Sequence, residues 1–248
     1  MTGNKTIPYY KISRAGCYYV VRIYLERQAK YISCKCLPNS VNVYVKNKRE
    51  DKFKVLIDAG HGGKDPGSVN SSCTAEKNIT LAYAKSMKDA LEQTGRYNVL
   101  LTRDSDIYVS RRNRIGAIRR IDPDVFISVH ADNISNRDVS GVSVYTYKPK
   151  RKCLSDKIAK RIFSYDVSLD SSQLATMFLR YVPEICKIKK NVHRKSHIAI
   201  LSSDTPSILI ETGYISNEKD KTLLDSDIFK EKLSKSLVYS LDDYFVKD

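Results

Sequence analysis

Val55-Leu56-Ile57-Asp58-Ala59-Gly60-His61 is the stretch on which the fold turns. It is short, apolar and rich in β-branched side chains, as a strand buried on both faces of a sheet should be. It ends on a glycine and an imidazole. Two further runs have the same character and also end on residues able to hold or serve a metal ion: Val125-Phe126-Ile127-Ser128-Val129-His130 and Ser207-Ile208-Leu209-Ile210-Glu211. In an open α/β sheet, ligands gather outside the carboxyl ends of the strands. His61, His130 and Glu211 are therefore expected at one sheet edge, as a single candidate site.

Outward from these runs, strand and helix patterns alternate. Residues 76–94 place Ile79, Tyr83, Met87 and Leu91 on one helical face, with Thr74 as the expected N-cap and Gly95 as the stop. Further helices are expected at 109–120, 154–164, 171–188 and 227–245, and strands at 99–102, 140–147 and 198–201. The alternation predicts an α/β catalytic domain over residues 54–248, with a mixed, largely parallel sheet flanked by helices. Residues 1–53 read instead as a basic, Tyr-rich, β-rich extension with strand-like pieces at 17–25, 30–37 and 41–46.

The formal charge is +15, and residues 1–54 alone carry +9 of it. Such a surface favours anionic partners. Basic residues interleaved with tyrosines suit single-stranded nucleic acid, yet no recognisable binding motif is present, and no specific nucleic-acid partner is expected. No apolar stretch approaches the length of a membrane span. The patch Cys17-Tyr18-Tyr19-Val20-Val21 is broken at once by Arg22, and no small-residue cleavage site follows, so no signal peptide is legible. The six cysteines show neither a C-x-x-C spacing nor a regular framework; free thiols or one incidental disulfide both fit.

The turn Asp58-Ala59-Gly60-His61-Gly62-Gly63 sets a His among glycines directly after a strand, where the backbone bends sharply and leaves the ring exposed to a ligand. Glu76 opens the amphipathic helix, and His130 ends the second strand. Two His and one Glu form one of the donor sets of catalytic zinc, which keeps a further position for water. Taken singly, each of these residues has a bland reading: a His after a strand is commonly a hydrogen-bonded turn residue, and a Glu at a helix start meets the helix dipole. Their convergence, with Glu211 as an independent carboxylate suited to proton transfer, favours a metal hydrolase.

The chain from Lys54 to about Leu224 resembles the zinc-dependent N-acetylmuramoyl-L-alanine amidases, which trim peptidoglycan. The likeness runs through Asp58-Ala59-Gly60-His61-Gly62-Gly63-Lys64-Asp65-Pro66-Gly67, Glu76-Lys77-Asn78, Thr102-Arg103-Asp104, Ser128-Val129-His130-Ala131-Asp132, and the segment from Pro206 to Asn217. It implies one zinc ion per chain on His61, Glu76 and His130, with Glu211 as catalytic carboxylate. The implied reaction is hydrolysis of the amide joining the lactyl group of N-acetylmuramic acid to the L-alanine of the stem peptide, in cell-wall remodelling or daughter-cell separation. It also implies a periplasmic or cell-envelope location. Some relatives carry an inhibitory helix relieved by an activator protein; residues 154–164, from Leu154 to Ser164, are expected to be either a shortened form of it or an ordinary packing helix. Asp58 is expected to support the turn rather than bind metal, and Arg111, Arg112, Arg114, Arg119 and Arg120 to form a mostly solvated face, although Arg114 matches a recurrent family arginine. His193 and His197 are weaker candidates for a fourth ligand. Two competing readings of the chain are an idle cell-wall or nucleic-acid binding protein on the same fold, which should have lost a ligand, and a zinc peptidase acting on another amide.

Overall fold

The computed structural model describes residues 9–15, 18–24, 30–37, 40–47, 52–69, 74–148, 167–188, 190–203 and 205–245. Two units are distinguished, Met1–Lys52 with Phe245–Asp248, and Phe53–Tyr244. In the first, β1 (Tyr9–Ala15), β2 (Tyr18–Tyr24), β3 (Lys30–Leu37) and β4 (Ser40–Asn47) form a four-stranded antiparallel sheet in chain order. Its first strand was not expected from the sequence.

The second unit is built on β5 (Phe53–Ala59), α1 (Glu76–Gln93), β6 (Tyr97–Leu101), α2 (Arg111–Ile121), β7 (Val125–Asp132), β8 (Val142–Tyr147), α3 (Val167–Cys186), β9 (Lys190–Ser196), β10 (Ser207–Tyr214), α4 (Glu218–Leu224) and α5 (Asp227–Phe245). The six strands are ordered β6-β5-β7-β10-β8-β9. β5, β6, β7 and β10 are parallel, while β8 runs antiparallel to β10 and parallel to β9. The sheet is therefore mixed and largely parallel, as the alternating pattern predicted.

The three apolar runs are its central strands. Val55, Ile57, Val129, Ile208 and Ile210 are fully buried. α1 packs against β5, β6 and β7, and α3 against β8, β9 and β10. α5 meets both helices, through Ser86 and Ser234 (2.9 Å) and through Cys186 and Ser236 (3.7 Å). Cys186 is buried and free. On the opposite side, Ala117 and Ile118 of α2 join Leu56, Phe126, Ile200, Leu201 and Leu209 in a second apolar cluster.

Helix ends follow local chemistry. Ser110 caps α2 by accepting from the Asn113 amide at 3.2 Å. Asp122, in the left-handed region at φ 49°, ends that helix ahead of Pro123. Gly95 (φ 73°) follows α1. The expected cap at Thr74 is not the one used: Ala75 occupies the N-cap position of α1 without a side-chain bond. Residues 199–201 form a single 3₁₀ turn where a strand was expected. Residues 154–164, and with them the inhibitory-helix question, lie outside the described residues.

One consequence of the strand order concerns the site. β7 ends, and β8 begins, at the same edge as the ends of β5 and β10. The connection 133–141 accordingly stays on that edge. It is tied to the segment after β10, the Ile134 amide donating to Ser216 Oγ (3.3 Å) and Asn217 Nδ2 to the Arg137 carbonyl (2.7 Å).

Candidate metal centre

At the carboxyl edge of the sheet, register decides what meets. Ala59 pairs with Val129, and Glu211 pairs with His130. Parallel partners at one level project to the same face, so Glu211 and His130 are neighbours on it. His61 lies just past β5 with φ 59°, a left-handed conformation uncommon outside glycine though more accessible to His than to most residues. Two glycines make room. A Cβ on Gly60 would sit 2.5 Å from His130 Cε1, and one on Gly67 would sit 2.7 Å from both Glu76 Oε2 and His61 Cδ2.

The carboxylate of Glu76 lies between the two imidazoles. Its Oε1 is 2.9 Å from His130 Nδ1, and its Oε2 is 3.2 Å from His61 Nε2. The rings meet edge to face with centroids 5.0 Å apart. One ligand atom from each residue lies within 4.8 Å of the others, and this trio is the metal-competent cluster found among the described residues. Zinc bonds near 2 Å imply ligand atoms about 3.3 Å apart in a tetrahedron; here each Glu76 oxygen faces one imidazole nitrogen, at 2.9 and 3.2 Å.

Charge supports the same assignment. Burial alone would raise the pKa of Glu76. Hydrogen bonds with His130 and His61, the His130 field and the Ser68 amide outweigh it and hold the carboxyl well below the usual range. Burial lowers His61, but hydrogen bonding and attraction to Glu76 and Asp65 leave it raised overall. Glu211 goes the other way: burial first, then the negative fields of Asp132 and Glu76, push it well above an ordinary glutamate. Its Oε2 is inaccessible and accepts no hydrogen bond. A buried carboxylate oxygen without a donor is costly. Beside two more carboxylates, it marks a place where a divalent cation would relieve both repulsion and desolvation. His61 Nδ1 is likewise buried without an aligned partner, although Asp65 Oδ1 lies 3.0 Å away.

The other candidates stand apart. His193 Nε2 pairs with Thr146 Oγ1 at 2.8 Å, and His197 Nδ1 lies against the Lys148 carbonyl; neither joins the cluster. Arg111, Arg112, Arg119 and Arg120 are exposed, as a solvated face requires, but Arg114 is buried. Asp58 does support the turn: it is buried, paired with Arg114, and accepts from Thr102 (2.6 Å) and Ser128 (2.8 Å). Arg103, Thr80 and Asp65 were not singled out for any role in the sequence. The first and last lay inside quoted motif segments, which gave position without function.

The profile of the N-acetylmuramoyl-L-alanine amidase family matches residues 55–243. A putative N-acetylmuramoyl-L-alanine amidase of Buchnera aphidicola subsp. Baizongia pistaciae is 31% identical over 78% of this chain and 96% of its own. N-acetylmuramoyl-L-alanine amidase AmiC of Escherichia coli O6:H1 is 29% identical over 79% of this chain, a match spanning about half (54%) of that relative's length. Among solved structures, N-acetylmuramoyl-L-alanine amidase AmiC2 of Nostoc punctiforme is 29% identical, covers 78% of this chain and 97% of its own, and superposes with a TM-score of 0.66.

Proposed function

The chain belongs to the N-acetylmuramoyl-L-alanine amidase family, and from that premise we propose that it hydrolyses the amide between the lactyl group of N-acetylmuramic acid and the L-alanine of the stem peptide, using one zinc ion on His61, Glu76 and His130. The catalytic carboxylate is Glu211, and the catalytic domain spans residues 54–248. Peptidoglycan as substrate implies a site of action in the cell envelope. Among the described residues no helix is long and apolar enough to cross a membrane.

One observation carries the reading: two imidazoles and a carboxylate, from three separate elements, close to within 4.8 Å at the sheet edge where Glu211 stands beside His130. Zinc bound there supplies a Lewis acid and brings the pKa of a water toward neutrality, to about 7 in favourable sites. The chain's own residues do the rest. His61 and His130 donate neutral ring nitrogens, and Glu76 offers one negative charge. Glu211, whose Oε2 is shielded from bulk water, takes the proton of the attacking water and hands it to the alanine nitrogen as the amide breaks. That transfer turns a poor leaving group into a neutral amine.

Digestion of purified sacculi, followed by mass spectrometry of the released ends, tests the proposal. Free lactyl ends together with new L-alanine amino termini are expected. Cuts inside the stem peptide would replace the amidase with a peptidase, and no cleavage by zinc-loaded protein would leave only a binding role.

A further inference from the structure

Behind the metal cluster lie two buried guanidinium groups with little access to solvent, Arg103 at 2% and Arg114 at 6% exposure. Their hydrogen bonds converge on one short piece of backbone. Arg103 Nε donates to the Ala59 carbonyl (3.0 Å) and its Nη2 to the Gly60 carbonyl (2.8 Å). Arg114 Nη1 donates to the Ala59 carbonyl (2.6 Å) and its Nη2 to the His61 carbonyl (2.6 Å). Thr80 Oγ1 adds a second donor to Gly60 at 2.7 Å. Three consecutive carbonyls, ending on the proposed metal ligand His61, thus point to two fixed cations. We propose that Arg103 and Arg114 are positioning residues that set the two imidazoles at the spacing zinc requires. The inference rests on the metal reading given above.

Two features set this apart from ordinary loop support. The first is that the same network reaches both imidazoles. Asp58, paired with Arg114, also accepts from Ser128, its register partner on β7, two residues before His130. One carboxylate therefore ties the strand that leads to His61 to the strand that carries His130. The second is steric. The His130 ring lies against the Gly60 α-carbon, where even a methyl group would approach to 2.5 Å. That space is open to the ring because Gly60 has no side chain, and Arg103 and Thr80 fix the position of its carbonyl. A guanidinium suits this work because its planar fork donates in fixed directions, whereas an ammonium donates as a point charge.

The test is zinc affinity, measured by competition with a chromophoric chelator on Arg103→Lys and Arg114→Lys in the full chain. These variants keep the charge and remove the fork. The loss expected is about 10–100-fold, the range for residues that orient metal ligands, measured at a temperature where circular dichroism shows each metal-free variant folded. Cobalt(II) substituted for zinc should show a visible spectrum shifted from that of the wild type. If either lysine variant does not fold, Thr80→Val, which deletes one bond to the Gly60 carbonyl, takes its place and should weaken zinc in the same direction. Wild-type affinity and an unaltered cobalt spectrum in variants that fold would overturn the inference alone. A wild-type protein that takes no zinc would remove the metal reading and this inference together.

Discussion

At the scale of single residues, the proposed roles divide the site's labour between holding and reacting. Glu76 has its carboxyl held well below the usual range by two imidazoles and a backbone amide, as a ligand should. Glu211 has burial and neighbouring negative charge against it, as suits a group that must accept a proton and release it. The division predicts opposite phenotypes. Glu211→Gln should keep one zinc per chain by metal analysis while turnover on a soluble muropeptide falls about 10²–10⁴-fold, the usual worth of general acid–base catalysis; parallel loss of zinc would assign Glu211 to the ligand set instead. Gly60→Ala should do the reverse. Its methyl group meets the His130 ring at 2.5 Å, so stoichiometric zinc should be lost while the far-ultraviolet circular dichroism stays native. A zinc-replete Gly60→Ala protein would show that the ring has room to move.

At the scale of elements, the end of β10 is fastened to the start of β8 by one buried acid. Asp220 Oδ2 accepts from the Gly141 amide (2.8 Å) and the Tyr214 amide (2.9 Å). Burial raises its pKa above the ordinary 3.8, with the two amides offsetting part of the rise. For an acid whose folded pKa is raised, the stability contribution is complete below the unfolded pKa and is lost as pH climbs through the folded value. Asp220→Asn keeps an acceptor oxygen and discards the charge. Its melting temperature, relative to wild type, should therefore gain as pH rises from below 3.8 through the folded pKa, then level off. A difference that stays flat across that range, or narrows, would contradict the shift. The same scale shows which elements the sequence disclosed. β5, β7 and β10 were legible because strands buried on both faces must be continuously apolar, and α1 because its buried stripe repeats every three or four residues. β9, with the sequence KNVHRKS, was not, because an edge strand of a sheet carries charge instead of an apolar pattern. Residues 199–201 read as strand because a short apolar run has no period of its own. α4 was missed although Asn217, accepting from the Lys219 and Asp220 amides, caps it. The proposed ligand trio was visible as two His at or just after apolar runs and a Glu at a helix start. The arginines beneath it were not, since no linear pattern separates a buried guanidinium from a solvated one.

At the scale of the molecule, the family match begins at residue 55 and the unit that holds the site begins at Phe53. Residues 1–54 carry +9 of the +15 net charge. If the part of that segment before Lys52, with a net charge of +7, contributes attraction to the anionic wall rather than chemistry, a fragment starting at Lys52 should hydrolyse a small soluble muropeptide with wild-type kcat, yet cosediment with whole sacculi less well at low salt. The difference should fade as salt screens the charge. A fall in kcat on the soluble substrate would instead give the N-terminal sheet a part in the reaction.

The reversed strand β8 has a further consequence. Because it starts where β7 and β10 end, residues 133–141 border the reacting groups without supplying any of the trio that would grip the ion. Selection can lengthen, shorten or recharge that border one insertion at a time while the cation's anchorage on strands and helix stays as it was. Preference among wall polymers and the power to cut them can thus be inherited separately.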